Sequence, residues 1–368
     1  MRRPFAAFAW VLLLALVVAA PALGALRHHA ARQHPARQRA ARQPAARHHA
    51  PRHADPSAAG VGADPHAGVA ADPPLTVPSA QLAAALSCPA AFVHPGRAPV
   101  LLVHGTGLTA SESWSWNYAN VLPGEGFDTC MVTLPDDALG DIQVSTQYVV
   151  YAVEHIAALT GRRVDVITHS QGGMEGRWAV RWWPTVRAEV DDMILLASPN
   201  HGIYASDACA ASGNCWPAVW QMAEGAHFIH ALNSGSESPG SVSYTNVYSL
   251  TDELVEPSST VPLAPAPNVA NVAIQSICPG RWVHHAGLLE DAVAHALVLD
   301  ALTHAGPANP ARIDPVGICT QALMPGVSAA DAAGGNAILY GDAAQAFSAH
   351  PGVSSEPPLA PYAAGAGP

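Results

Sequence analysis

The sequence is 368 residues long, 49% hydrophobic and only 12% charged, which excludes a wholly disordered chain and leaves material for one large domain or two small ones. Its 17 basic residues are all arginine, nine of them before residue 53, where no acid occurs; from residue 54 onward eight basic residues face 28 acids, a formal charge of −20. So acidic a body makes a poor phosphate-tracking surface, and nucleic acid is excluded as a partner.

The first 25 residues read as a secretory signal. Arg2 and Arg3 form a positive start, an apolar run extends from Phe5 to Ala20, and Ala22-Leu23-Gly24 places small residues at a cleavage position. The alternative is an uncleaved anchor, since Phe5 to Leu26 is long enough to reach across a bilayer. Residues 26–75 form a linker in which Arg27, Arg32, Arg37, Arg39, Arg42, Arg47 and Arg52 alternate with Ala, Pro, Gln and His. With almost no large apolar residue, this stretch cannot offset its ordering entropy and is expected to be disordered. Seven histidines between His28 and His66 raise metal binding as one reading; contact of a cationic spacer with an anionic cell envelope is the expected one, because a disordered stretch fixes no ligand geometry.

Six cysteines in an exported chain point to disulfides, with fifteen pairings open. Proximity favours Cys209 with Cys215. Cys88 with Cys130 and Cys278 with Cys319 would then close loops of about forty residues, each worth roughly 4 kcal/mol in the chain-entropy model. Metal ligation lacks a Cys-x-x-Cys pair or a Cys/His cluster of zinc spacing, so no metal and no cofactor are expected.

From residue 76 to 327 short apolar runs alternate with helix-length patterns. Strands are predicted at Val100–His104, Thr129–Leu134, Val164–Thr168, Asp192–Ala197, Asn246–Leu250 and Asn271–Ile277, with helices at Thr146–Leu159, Gly173–Trp183, Ala218–Leu232 and Gly287–Leu302. The pattern predicts an α/β domain whose mainly parallel sheet carries helices on both faces, with ligands bound beyond the carboxyl ends of its strands.

The most specific motif lies at one such end. Thr168-His169-Ser170-Gln171-Gly172-Gly173 follows a strand and opens a helix, the context of a nucleophile elbow, although its first position carries Thr rather than Gly. An ordinary serine in a glycine-rich loop is the bland alternative. A serine hydroxyl needs a base, and in this fold the acid and the histidine follow it in that order. Asp252 and His285 both come after predicted strands and fit that order; Glu253, Asp191, Asp192 and His284 are their rivals. Asp191 and Asp192 precede a strand and so lie at its opposite end. Acyl chemistry also needs donors for a developing oxyanion, and the amide of Thr106, helped by its hydroxyl, in the turn His104-Gly105-Thr106-Gly107, and the amide of Gln171 are the candidates; a plain strand-ending turn is the alternative for His104-Gly105.

In these motifs, together with Asn246-Val247-Tyr248-Ser249-Leu250-Thr251-Asp252-Glu253 and His285-Ala286-Gly287, the chain resembles the secreted lipase family typified by Candida antarctica lipase B, within the α/β-hydrolase superfamily. The resemblance runs from about Cys88 to Cys319 and weakly to Tyr362. It implies an α/β-hydrolase fold, the triad Ser170, Asp252 and His285, an oxyanion hole at Thr106 and Gln171, and the disulfides Cys88–Cys130 and Cys278–Cys319. It also implies that residues 328–368 form a helix and tail at the mouth of the pocket, whereas Gly334 and Gly335 by themselves suggest a flexible tail. Two departures stand out: His169 replaces a Trp that helps shape the alcohol side of the family's pocket, and Ser355 stands where the family has a third disulfide's Cys. The Cys209–Cys215 loop is an addition near the entrance. Trp114, Trp116, Trp216 and Trp220 fit an apolar acyl site, while Trp182 and Trp183 suit the core.

The expected protein is a secreted, monomeric, cofactor-independent serine esterase or lipase that acts on hydrophobic esters, acylglycerols among them, at a lipid–water interface. A cell-envelope acyltransferase with the same triad and a non-catalytic envelope-binding protein are the competing readings.

Overall fold

The computed structural model describes residues 71–366, so the expected signal segment and residues 26–70 of the expected linker lie outside the described residues. The last linker residues already belong to the domain. Asp72 Oδ1 accepts the backbone N–H of Thr185 at 3.0 Å, and the Trp183 indole N–H donates to the Pro73 carbonyl at 2.9 Å.

Seven strands form one sheet: β1 (Leu86–Ser87), β2 (Val100–Val103), β3 (Thr129–Val132), β4 (Val164–His169), β5 (Val190–Leu196), β6 (Ser243–Tyr248) and β7 (Val269–Ala273). Their order is β1-β3-β2-β4-β5-β6-β7, with β1 antiparallel to β3 and the remaining pairs parallel. The principal helices are α1 (Ile142–Thr160), α2 (Gly172–Trp182), α3 (Tyr204–Ala211), α4 (Ala292–Thr303) and α5 (Ala329–Ala349).

Side chains of the central strands alternate between two cores, which is why the β2 run is apolar at every position. Leu101 and Val103 pack on one face with Val149 and Val153 of α1 and Met174 and Trp178 of α2. Val100 and Leu102 pack on the other with Leu297 and Val298 of α4. Each fully buried aliphatic side chain of this kind contributes roughly 1.5–3 kcal/mol. Helix ends follow local chemistry: the Asp141 carboxylate caps α1 by accepting from Gln143 N, and Gly161 ends it at φ 64°. Asp291 caps α4 through the N–H groups of Val293 and Ala294, and Ser328 with Asp331 forms a capping box on α5.

Three predicted elements differ. The strand expected over Asn271–Ile277 ends at Ala273, and Ile274–Ile277 turns into a helix, since a short apolar run fits either form. The helix expected over Ala218–Leu232 is two, Pro217–Gln221 and His227–Asn233. Gly202 packs against the break between them, where a Cβ would lie 2.6 Å from Glu224 Cα. The helix expected from Gly287 starts at Ala292, after a 3₁₀ turn at Ala286–Leu289. All three expected disulfides, Cys88–Cys130, Cys209–Cys215 and Cys278–Cys319, are present.

Between β2 and β4 the chain order of the sheet reverses direction, because β3 lies on one side of β2 and β4 on the other. A crevice opens beyond the carboxyl ends of such a strand pair. Thr106 follows β2 and Ser170 follows β4, so both enter it.

Candidate active site

Ser170 occupies the turn between β4 and α2 at φ 53°, a conformation few non-glycine residues adopt. Small neighbours make that turn feasible. A Cβ on Gly172 would meet the His104 carbonyl oxygen at 2.5 Å, and one on Gly173 would meet Ser198 Oγ at 2.4 Å. Gly105 lies so near the elbow that its Cβ would come within 2.9 Å of Ser170 Cβ. His104 shapes the opposing turn: its Nε2 accepts from Leu134 N at 2.9 Å, so Nδ1–H donates to the Gly105 carbonyl at 2.8 Å.

Asp252 follows β6, and His285 sits on the loop beyond β7 and the Ile274–Ile277 helix. Asp252 Oδ2 and His285 Nδ1 are 2.9 Å apart, and Asp252 Oδ1 accepts from Leu254 N and Val255 N. Burial alone would raise the Asp252 pKa, but the neighbouring imidazole and the two N–H donors outweigh it and hold the carboxyl below its usual range. Burial would likewise lower His285, yet the Asp252 charge and hydrogen bond, with Glu253 beyond, raise its pKa above 6.5. Nδ1 therefore carries the proton in the Asp252 contact, which leaves Nε2 as the basic nitrogen. Ser170 and His285 line the same cavity without a hydrogen bond between them, a contact that in unliganded sites often closes only with substrate.

The rivals have other work. Glu253 accepts the His285 backbone N–H at 2.9 Å and the Tyr340 hydroxyl at 2.6 Å. His284 Nδ1 accepts from Gly287 N, and this ring is not part of the cavity wall. Asp191 and Asp192 lie at the start of β5, at the far end of the sheet from Ser170. His169 does face the cavity beside Ser170; its Nε2–H donates to the His285 carbonyl at 3.3 Å, and burial lowers its pKa to about 3, so it stays neutral.

Thr106 borders the cavity, and its hydroxyl donates to the Gln171 side-chain oxygen. Gln171 Nε2 donates to the Ala138 carbonyl at 2.9 Å and to Glu175 Oε1 at 2.8 Å. Ala138 lies in a loop where Asp136, Asp137 and Ala138 all have positive φ, and Gly107 N donates to the Asp137 carbonyl at 2.6 Å. Sequence reasoning missed Glu175, Tyr340 and this loop. Pro135-Asp136-Asp137 carries turn residues, but neither the two helical residues nor their partners form a local pattern.

The cavity has a volume of about 640 Å³ and is walled mainly by apolar side chains, among them Ile203, Val219 and Met222 on one side and Leu339, Ala343 and Phe347 of α5 on the other. Residues 329–349 form one helix, unbroken by Gly334 and Gly335, that contributes to the cavity wall. Of the tryptophans considered for this site only Trp216 lines the cavity; Trp114 is fully buried in the core. The Cys209–Cys215 loop forms part of the wall, tied to the tail by backbone pairing of Cys215 with Val353. Farther along that tail, the Glu356 carboxylate accepts the N–H groups of His227 and Phe228.

A family model for class 2 lipases matches residues 97–271. Lipase B of Pseudozyma antarctica is 32% identical over 303 residues, spanning 79% of this chain and 86% of that protein. The crystal structure of Aspergillus fumigatus lipase B is similar at a TM-score of 0.75 and 32% identity, covering 79% of this chain and 73% of that one.

Proposed function

Because the chain belongs to the lipase family that includes these lipase B proteins, and is a carboxylic-ester hydrolase of α/β-hydrolase fold, we propose that it is secreted and cleaves hydrophobic esters through an acyl-enzyme on Ser170. Acylglycerols are the proposed substrates and a lipid–water interface the place of action. Export is supported by the signal-like start and by three disulfides. We assign the Arg-rich segment before residue 75 to contact with an anionic cell envelope and take the working unit as the monomer.

The observation that carries the mechanism is the 2.9 Å His285–Asp252 pair in a cavity wall shared with the left-handed Ser170. Ser170 Oγ attacks the ester carbonyl carbon while His285 Nε2 takes the hydroxyl proton. Asp252 keeps the Nδ1–H tautomer and stabilises the imidazolium. The backbone N–H groups of Thr106 and Gln171 receive the oxyanion. Collapse expels the alkoxide, to which His285 returns the proton, and water repeats the steps on the acyl-enzyme to release the acid. The apolar wall suits the acyl chain.

A phosphonate ester tests this reading. Mass spectrometry is expected to find one adduct, on Ser170, and none in Ser170→Ala; an adduct on any other residue overturns the mechanism.

A further inference from the structure

We propose that Glu175 is a positioning residue of the oxyanion hole, acting through the Gln171 side chain on the Thr106 hydroxyl. This role rests on the mechanism proposed above. Glu175 stands in the first turn of α2 and is fully buried. Its Oε1 accepts from Gln171 Nε2 at 2.8 Å and from Ser145 Oγ of α1 at 2.9 Å, and its Oε2 has no partner. Among the described residues no guanidinium pairs with it, and burial pushes its pKa up to about 7 against the hydrogen bonds it accepts. An apolar side chain would fill this space at lower cost. What the carboxylate does must therefore be sought in what it holds.

It holds an amide in one orientation. The two Nε2 hydrogens of Gln171 go to the Ala138 carbonyl and to Glu175 Oε1, and a carbonyl can only accept. With nitrogen fixed on that side, the Gln171 carbonyl oxygen must face Thr106. The Thr106 hydroxyl is then the donor between them. A single chain of hydrogen bonds so runs from α2 through the residue after the nucleophile to the turn after β2, and it sets the separation of the two backbone N–H donors. It also keeps the Thr106 hydroxyl hydrogen turned toward Gln171. Without Glu175 one amide hydrogen loses its acceptor, the amide is free to turn over, and the Thr106 turn loses its anchor. Misplacement of oxyanion donors is felt in the transition state rather than in ground-state binding.

The test compares Glu175→Met, which fills the space without accepting a hydrogen bond, with Glu175→Gln, whose carbonyl can still accept from Gln171. On a soluble p-nitrophenyl ester, Glu175→Met is expected to lower kcat about 10-fold with KM within about 2-fold, and Glu175→Gln to keep kcat within about 2-fold. In a Thr106→Val background the Glu175→Met effect should shrink to less than about 2-fold, because the hydroxyl it acts on is gone. Ser145→Ala, which removes a contact of Glu175 but none of Gln171, should lower Tm without lowering kcat. Unchanged kcat in Glu175→Met, an equal loss in Glu175→Gln at wild-type Tm, or a full loss persisting beside Thr106→Val overturns the role. If Glu175→Met does not fold, the Glu175→Gln and Ser145→Ala outcomes still decide it. In the unsubstituted protein, phosphonate failing to label Ser170 while esters are turned over would overturn the underlying mechanism instead.

Discussion

Asp252 and His285 influence each other in opposite directions from their ordinary values, and that coupling has a measurable sign. Burial alone would leave the His285 imidazole below 6.5; the Asp252 carboxylate is what raises it. In Asp252→Asn the larger raising contributions disappear, and desolvation is opposed only by the weaker one of Glu253. The acid limb of the pH profile of kcat/KM is expected to move to lower pH, while kcat at neutral pH falls by about 10⁴-fold, as when the wrong imidazole tautomer is held. A limb that stays in place would mean that His285 is not the group being titrated. Ser170, Asp252 and His285 could be proposed from the sequence because each sits in a short motif beyond a predicted strand. Glu175 could not. It reads as an ordinary charged residue in a helical turn, and only the tertiary approach of Ser145 and Gln171 gives it an environment. Tyr340 was hidden for the same reason: its partner Glu253 lies 87 residues away. Sequence position alone does not separate His284 from His285; the family resemblance points to His285, and in the structure it is His285 whose Nδ1 meets Asp252.

The elements show the same division between local and long-range causes. β2 was readable because it is buried on both faces and wholly apolar, and β4 and β5 because each keeps a short apolar run, Val166-Ile167 and Met193–Leu196, despite the acids at its start. The start of α4 was also readable in principle, as Asp291 is an ordinary N-cap. The break between Gln221 and His227 was not, because it depends on Gly202 and Ile203 arriving from another segment: Ile203 N donates to the Met222 carbonyl at 3.0 Å. Helix α5 holds the sharpest contrast. Gly334 and Gly335 both weaken a helix by about 1 kcal/mol relative to Ala. At Gly334 a Cβ would meet nothing within 4 Å, whereas at Gly335 it would fall 2.1 Å from the Trp116 ring. Gly334→Ala is therefore expected to raise stability by about 0.5–1 kcal/mol with activity unchanged. Gly335→Ala should lower it by about 1–3 kcal/mol, the steric term exceeding the helical gain, and should reduce activity by displacing the wall that carries Leu339 and Ala343. Thermal melts and ester turnover on the two variants check this; equal responses at the two positions would contradict the packing.

At the scale of the whole molecule, catalysis and a separate electrostatic load sit at opposite ends of one sheet. Beyond the carboxyl ends of β2 and β4 lies the cavity. At the amino ends, a register shift between β4 and β5 places Asp165 opposite Asp191 and Asp192, with oxygens of all three carboxylates within 4.8 Å of one another. Arg163 pairs directly with Asp191, at 2.5 Å, and offsets the charges of Asp165 and Asp192 only in part. Asp165 and Asp192 are buried, and each keeps an oxygen without a hydrogen-bond partner. Burial first, and then the neighbouring acids, raise Asp165 to about 7 and Asp192 to about 8. Both folded values lie above the unfolded value of 3.8. The folded chain therefore binds more protons than the unfolded one between about pH 4 and pH 8, and stability falls as pH rises through that window. Buried Glu175 and Glu290, each raised to about 7, act in the same direction. Asp252, held below its usual range, and the buried imidazoles of His104 and His169, lowered to about 4 and about 3, act in the opposite direction, but only below about pH 6.5. The Tm is thus expected to decline from about pH 6.5 to pH 8.5, while the activity proposed to depend on neutral His285 rises over the lower part of the same range. Asp192→Asn removes one ionisable member of the cluster far from the cavity. It should raise Tm at pH 8.5 more than at pH 5 and flatten the slope, with kcat/KM unchanged at either pH. Melting curves at the two pH values decide the matter: a variant whose Tm falls with pH as steeply as the parent's would place the cause of the decline elsewhere than in these carboxylates.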